Sequence, residues 1–180
     1  MKKKSSKLVN IILALVFFVG LSVLLYPLIS DYWNSKTQSR AVTDYVNKVS
    51  KITIDDYDDI FSAAKDYNER LSKLAQPFIE YEKLKNYSEV LNITGTGVMG
   101  YIDIDKINVE LPIYHGTEEG TLAVAVGHLK GSSLPIGGEG THCVLSAHRG
   151  LPSARLFTDL DKLEEGDTFR ITVLNEVYTY

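Results

Sequence analysis

A cysteine and a histidine lie five residues apart in the segment T-H-C-V-L-S-A-H-R-G. Cys143 is the only cysteine of the 180 residues, and His148 is one of four histidines. A thiol next to an imidazole is the pair that supplies the nucleophile and its base in cysteine-dependent acyl transfer. The first hypothesis is therefore that these two side chains form a catalytic dyad.

The spacing of the two residues argues against this dyad. Residues 141–147 alternate as a β-strand does, and positions an odd number apart point to opposite faces of a strand. At about 3.3 Å per residue, the two would lie roughly 16 Å apart, far beyond hydrogen-bond reach. Only a β-bulge between them would restore the pair. We therefore predict that Cys143 is structural, a small side chain buried between core strands.

His148 remains a candidate by itself. It lies where the predicted strand gives way to R-G-L-P, a position from which a side chain reaches a cleft. A structural histidine is equally common at such a place. Ser146 shares its face, but no G-x-S-x-G elbow surrounds that serine. A metal site of His128, His142 and His148 is a weaker alternative because their spacing is not typical of zinc ligands. No metal and no cofactor are expected.

The N-terminal segment has the composition of a membrane anchor. Residues 8–30 are 23 residues without a charge, and at about 1.5 Å per residue they span a hydrocarbon core of about 30 Å. The run is too long for a cleavable signal peptide and lacks a small-residue cleavage site. Lys2, Lys3, Lys4 and Lys7 precede it, which predicts a cytoplasmic tail of residues 1–7 and an extracellular remainder.

The part of the chain beyond the span is acidic. It contains 15 of the 19 basic residues and all 23 acidic ones, a formal charge of −8. This charge disfavours phosphate-rich partners, so nucleic acid is not expected to bind. One cysteine cannot form an internal disulfide, and the stability of an exported domain then depends on its hydrophobic core.

Two kinds of segment follow the span. Apolar residues at helical spacing between residues 36 and 74 predict two amphipathic helices, and a third helical piece is predicted at 81–91. From residue 95 onward, short β-branched and aromatic runs between turn residues predict a mainly β domain of sandwich or barrel type. The predicted strands are 98–104, 107–114, 122–126, 141–147, 169–174 and 177–180, with a helical turn at 159–163.

Three blocks carry a family resemblance. They read M-G-Y-I-D-I-D-K-I-N-V-E-L-P-I-Y-H-G from Met99, G-H-L-K-G-S-S-L-P-I-G-G from Gly127, and T-H-C-V-L-S-A-H-R-G-L-P-S-A-R-L-F-T-D-L-D-K-L from Thr141. They resemble the class C, or pilin-polymerising, sortases of Gram-positive bacteria. The resemblance implies a sortase β-barrel, incomplete over 95–180, after a transmembrane helix at 8–30 and a helical and lid region at 31–94.

The resemblance also implies an activity. Such enzymes are membrane-bound cysteine transpeptidases that cleave an L-P-x-T-G-like sorting signal, hold the acyl group as a thioester and pass it to a lysine. The implied partners are pilin or surface proteins with that signal, an acceptor pilin with the lysine, and the membrane. The H-R-G histidine of the family maps onto His148 as acid/base. The family's nucleophilic cysteine and catalytic arginine are expected beyond Tyr180, so the chain is expected to be an N-terminal fragment without its nucleophile.

A lid is the last feature that the resemblance implies. Class C enzymes often carry an Asp-Pro-aromatic lid over the site, and Gln76, Pro77 and Phe78 stand at the corresponding place. Glutamine replaces the acid, which removes the charge that would face the arginine. Phe78 is then either a lid ring or a ring packed at a helix end. The main rival to the enzyme as a whole is an exported, non-catalytic β-domain used for binding.

Overall fold

The computed structural model describes residues 3–180, with side chains from residue 7 onward, and contains four α-helices and six β-strands within that range. The helices are α1 (Lys3–Val49), α2 (Ile54–Ser72), α3 (Pro77–Glu80) and α4 (Glu119–Leu122). The strands are β1 (Val98–Ile104), β2 (Val109–His115), β3 (Val126–His128), β4 (Leu145–Ser146), β5 (Arg170–Val173) and β6 (Glu176–Thr179). Short 3₁₀ turns lie at Tyr81–Lys83, Asp105–Ile107 and Leu160–Lys162.

The apolar segment and the first predicted amphipathic helix form one continuous helix, α1. Residue 30 is where the apolar surface ends, but the helix continues to Val49 and also passes through Pro27. None of the apolar window is buried, whereas Val42 and Tyr45 are buried against the rest of the protein. Among the described residues, α1 is the one helix that is long and apolar enough to cross a membrane, judged by length and composition.

The six strands form one open sheet. Its order is β4-β3-β2-β1-β5-β6, and the β2–β3 pair is parallel while the other neighbours are antiparallel. Strands β4 and β6 are its edges, each bonded to a single neighbouring strand within residues 3–180. An open, mainly β unit preceded by helices agrees with the predicted partial barrel.

The two faces of the central strand β1 have different neighbours. On one face the buried Tyr45 of α1 donates a hydrogen bond to the Met99 carbonyl (3.0 Å) and accepts one from the Leu174 N–H (2.8 Å). On the other face Ile102 and Ile104 line a cavity. The alternation of side chains along a strand accounts for this division.

Three predicted elements differ from the structure. The strand at 141–147 shrinks to Leu145–Ser146, because the hydroxyls of Ser133 and Ser132 accept from the N–H groups of His142 (3.2 Å) and Val144 (3.1 Å) in place of a regular ladder. The strand predicted at 122–126 is also displaced: Leu122 is the last residue of helix α4, and the observed strand begins only at Val126. The piece at 81–91 is a 3₁₀ turn followed by hydrogen-bonded turns rather than a helix.

Candidate functional site

His148 lies two residues beyond β4 and is exposed to solvent. Its backbone carbonyl accepts a hydrogen bond from the Phe157 N–H (3.2 Å), which closes residues 148–157 into a loop, here called the His148 loop. Within it, Leu151 and Ala154 form a β-bridge, and the Gly150 N–H donates to the Thr158 hydroxyl (3.0 Å). The backbone of His148 is therefore held while its imidazole stays accessible.

Both arginines of the His148 loop are paired. Arg149 forms an ion pair with Asp161 (2.8 Å), and Arg155 forms one with Asp159, which Lys162 also contacts (2.8 Å). Hydrogen bonds from Lys162 and Arg155 hold the pKa of Asp159 below its usual value. The basic side chains of these pairs are more than half exposed, so the pairs add little to stability and mainly restrict the orientation of the loop.

Helix α1 holds the far end of the same loop. Asp31 accepts a hydrogen bond from the Arg155 N–H (2.7 Å), and the Asn34 side-chain amide donates to the Ser153 carbonyl (2.7 Å). About one turn after Asn34, Gln38 donates to the Val124 carbonyl (2.7 Å) just before β3. Sequence reasoning missed these residues, although they share one helical stripe with the buried Tyr45.

Cys143 is half-buried and faces a cavity rather than packing between core strands. Burial raises the pKa of its thiol to about 12. Because the thiolate is the nucleophilic form, a group with this pKa is a poor nucleophile at neutral pH. The structure thus gives no electrostatic support to a Cys143–His148 dyad.

The cavity lies between the two edge strands and has a volume of about 900 Å³. Leu145 and Cys143 line it from the β4 side, Val177 and Tyr178 from the β6 side, and Ile102 from the sheet between them. Its walls are largely apolar. Within the described chain His148 is not among its lining residues, whereas the exposed His142 is.

His128 lies in a buried polar cluster instead of a reactive site. Its Nδ1 is 2.9 Å from the Tyr87 hydroxyl, and its Nε2 is 2.8 Å from the Ser133 carbonyl oxygen. Burial lowers the pKa of His128 to about 4, so the ring is neutral at physiological pH. A neutral ring between these partners donates from Nε2 to Ser133 and accepts at Nδ1 from Tyr87.

The remaining histidine, His115, belongs to the same cluster. Its two ring nitrogens lie 2.8 Å from the carbonyl oxygens of Val90 and Gly97, and its ring meets Tyr87 edge-on. The metal alternative gains no support, because the nitrogens of His128 are engaged and no group of metal-ligating side chains occurs in the described chain. The sequence contained no local signal for this cluster, since Tyr87 lies 41 positions before His128.

The predicted lid segment contacts the loop between β3 and β4. Pro77 opens α3, and the Gln76 N–H donates to the Glu80 carboxylate (3.2 Å). A Cβ on Gly131 would come within 2.7 Å of the Phe78 Cα, so only glycine permits this approach. The Phe78 side chain is 53% exposed and is not among the described residues that line the cavity. A lid role for Gln76, Pro77 and Phe78 stays a prediction.

Comparisons with known proteins agree on one family. Residues 102–180 match the model of the Sortase domain family. Sortase D of Bacillus subtilis (strain 168) is 36% identical over 99 residues, which cover 55% of this chain and 46% of that protein. The chain therefore spans about half the length of this curated relative.

Solved structures extend the similarity to the helices. Sortase C1 from Streptococcus agalactiae aligns with a TM-score of 0.69 and 48% identity, over 78% of this chain and 74% of that one. Sortase C-1 from Streptococcus pneumoniae aligns with a TM-score of 0.67 and 38% identity, again over 78% and 74%.

Proposed function

Because the chain belongs to the sortase family, we propose that it is part of a membrane-anchored class C cysteine transpeptidase. The substrate in this proposal is a pilin or surface protein with an L-P-x-T-G-like sorting signal, and the acceptor is a lysine of another pilin. The observation that carries the proposal is His148, an exposed imidazole on a closed loop within the region that matches the family.

His148 is the acid/base residue of this reaction. A cysteine thiolate attacks the carbonyl carbon of the sorting signal, and His148 gives a proton to the departing amine, so that the acyl group remains as a thioester. In the second half the imidazole takes a proton from the incoming lysine amine while that nitrogen displaces the thiolate. The proposal assigns the nucleophile to a cysteine other than Cys143, because burial raises the pKa of the Cys143 thiol and so disfavours its thiolate.

Membrane anchoring by α1 is part of the proposal. The segment is apolar and exposed, and Tyr26, Tyr32 and Trp33 lie exposed near its outer end, where aromatic side chains favour the membrane interface. The four lysines near the N-terminus favour an orientation with that end in the cytoplasm. Protease added to intact protoplasts should digest the chain after Asp31, and full protection would contradict this orientation.

The proposed function is tested by His148→Ala in the complete gene product. Cleavage of an L-P-x-T-G peptide should fall by roughly 10²–10⁴-fold, because this is what a positioned proton donor typically contributes. The matched control is Cys143→Ala, which should retain turnover. Phe78→Ala versions of both should be assayed in parallel, since a lid would silence the resting enzyme.

Two results would contradict the assignment. A folded but inactive Cys143→Ala protein together with an active His148→Ala protein would make Cys143 the nucleophile. A wild-type protein that binds the peptide without cleaving it would favour the non-catalytic binding domain. Far-UV circular dichroism establishes folding in each case.

A further inference from the structure

Helix α1 presents two different faces at the point where its apolar segment ends. Asp31 and Asn34 are half-buried and point to the domain, whereas Tyr32 and Trp33 are 66% and 68% exposed on the other side. At about 1.5 Å per residue, these four residues lie within roughly 6 Å of the end of the apolar segment. One turn of helix therefore contacts the His148 loop on one side and, on the other, exposes two aromatic side chains of the kind that favour a membrane interface.

The contacts of Asp31 and Asn34 are specific for backbone groups of the loop. Asp31 accepts from the Arg155 N–H and Asn34 donates to the Ser153 carbonyl, each at 2.7 Å. One bond satisfies a backbone donor and the other an acceptor two residues away, so the pair fixes the position of the loop along the helix and its orientation. The bond to the carboxylate is charge-assisted and therefore belongs to the stronger class.

The loop transmits this constraint to His148. Arg155 lies two residues before Phe157, whose N–H closes the loop on the His148 carbonyl. The Leu151–Ala154 bridge and the buried Ala154 stiffen the segment between His148 and Arg155. The loop is closed by the bond between His148 and Phe157 and is held to α1 through Ser153 and Arg155, so the backbone of His148 has little freedom to move.

We propose that Asp31 and Asn34 are positioning residues that clamp the His148 loop to the membrane anchor and so set the place of His148 at the membrane interface. The inference rests on the proposed function for the role of His148, but the clamp itself does not. Its consequence is that the anchor helix is part of the site's architecture as well as a tether. A sorting signal would then be processed next to the bilayer surface.

The clamp is tested in the full chain reconstituted into lipid nanodiscs. Asp31→Ala should raise the hydrogen-exchange rate of the Arg155 amide roughly tenfold or more, because that amide loses a charge-assisted bond. Asp31→Asn keeps an acceptor oxygen and should restore most of the protection. Asp44→Ala and Asn47→Ala are the matched controls, since both residues are exposed on the same helix, and they should leave the exchange rate unchanged.

Two spectroscopic signals distinguish a specific displacement of His148 from a general loosening of helix α1 in the membrane. Trp33 is the only tryptophan, and its quenching by brominated lipids should be strong in the wild type and unchanged by Asp31→Ala. The ring NMR signals of His148 should shift in Asp31→Ala and in the Asp31→Ala/Asn34→Ala double variant, but not in the controls.

Kinetics in the complete gene product provide the functional measurement. The double variant should lower kcat several-fold with KM within about twofold, since the proton donor is displaced while the signal still binds.

The clamp is wrong if Asp31→Ala leaves the hydrogen-exchange rate of the Arg155 amide unchanged. If the Arg155 amide exchanges faster but the His148 NMR signals and kcat do not change, Asp31 and Asn34 do not position His148. A wild type without activity would refute the proposed function, and exchange and NMR would still decide the clamp.

Discussion

Two histidines at the ends of neighbouring strands have opposite environments. His128 ends β3 and His148 follows β4; these strands are antiparallel, so the two lie toward opposite ends of the pair. His128 is fully buried with both ring nitrogens bonded, whereas His148 is exposed on its loop. The comparison teaches that residue type marks candidates for catalysis, but burial and partners decide which imidazole can exchange protons with a substrate.

The largest effect is expected from the pH dependence of the buried cluster. The unfolded chain protonates His128 near pH 6.5, but the native state resists protonation until about pH 4. Stability is therefore fully present above pH 6.5 and is lost as the pH falls toward 4, by up to roughly 3 kcal/mol from this group. Urea unfolding in nanodiscs between pH 7.5 and 4 measures it.

Matched variants isolate the contribution of His128 from that of the carboxylates. His128→Gln should flatten the pH profile, whereas His142→Gln, at an exposed position, should leave the slope as in the wild type. Parallel profiles for wild type and His128→Gln would mean that His128 is not held neutral by burial.

A pair of neighbouring tyrosines tests the hydrogen bonds of the cluster. The Tyr87 hydroxyl donates to His128 and accepts from the Gly116 N–H (3.0 Å), so Tyr87→Phe leaves a buried donor and a buried acceptor unpaired. The expected loss is about 1–3 kcal/mol of unfolding free energy. It should be measured by chemical denaturation at pH 7.

Tyr67 supplies the control for this substitution. Its ring centroid lies 6.0 Å from that of Tyr87, and its buried hydroxyl has no hydrogen-bond partner among the described residues. Tyr67→Phe should therefore change the unfolding free energy by less than about 0.5 kcal/mol, or stabilise the protein slightly. Equal losses in the two variants would show that the Tyr87 bonds contribute nothing specific.

A small effect is also expected on the open side of the sheet. Cys143 lines an existing cavity, so Cys143→Ala removes one atom from a wall instead of creating a new void, and the cost should stay below about 1 kcal/mol. Thermal unfolding of the two proteins side by side measures this. A loss above about 2 kcal/mol would indicate that Cys143 is packed as tightly as the core.

Local patterns predicted much of the fold. The β-branched and aromatic run Val98–Ile104 predicted β1 with its observed ends, and the runs near 107–114, 169–174 and 177–180 predicted strands within about two residues. The helical stripe before residue 74 predicted α2 and the packed part of α1. The strand at 141–147 was mostly wrong, because side chains of Ser132 and Ser133 replace its ladder bonds.

The site was predictable only where its signal is local in the chain. By itself the sequence determined the apolar N-terminal segment, the strand-then-loop position of His148 and the blocks that resemble sortases, since each depends on neighbouring residues. Tertiary structure decided what partners those residues have. Arg155 meets Asp31 across 124 positions and Tyr87 meets His128 across 41, and no periodicity encodes such pairs. The Tyr87–His128 bond forms because folding buries polar groups that must then find a partner, and the exposed Asp31–Arg155 bond forms because packing brings α1 against the loop.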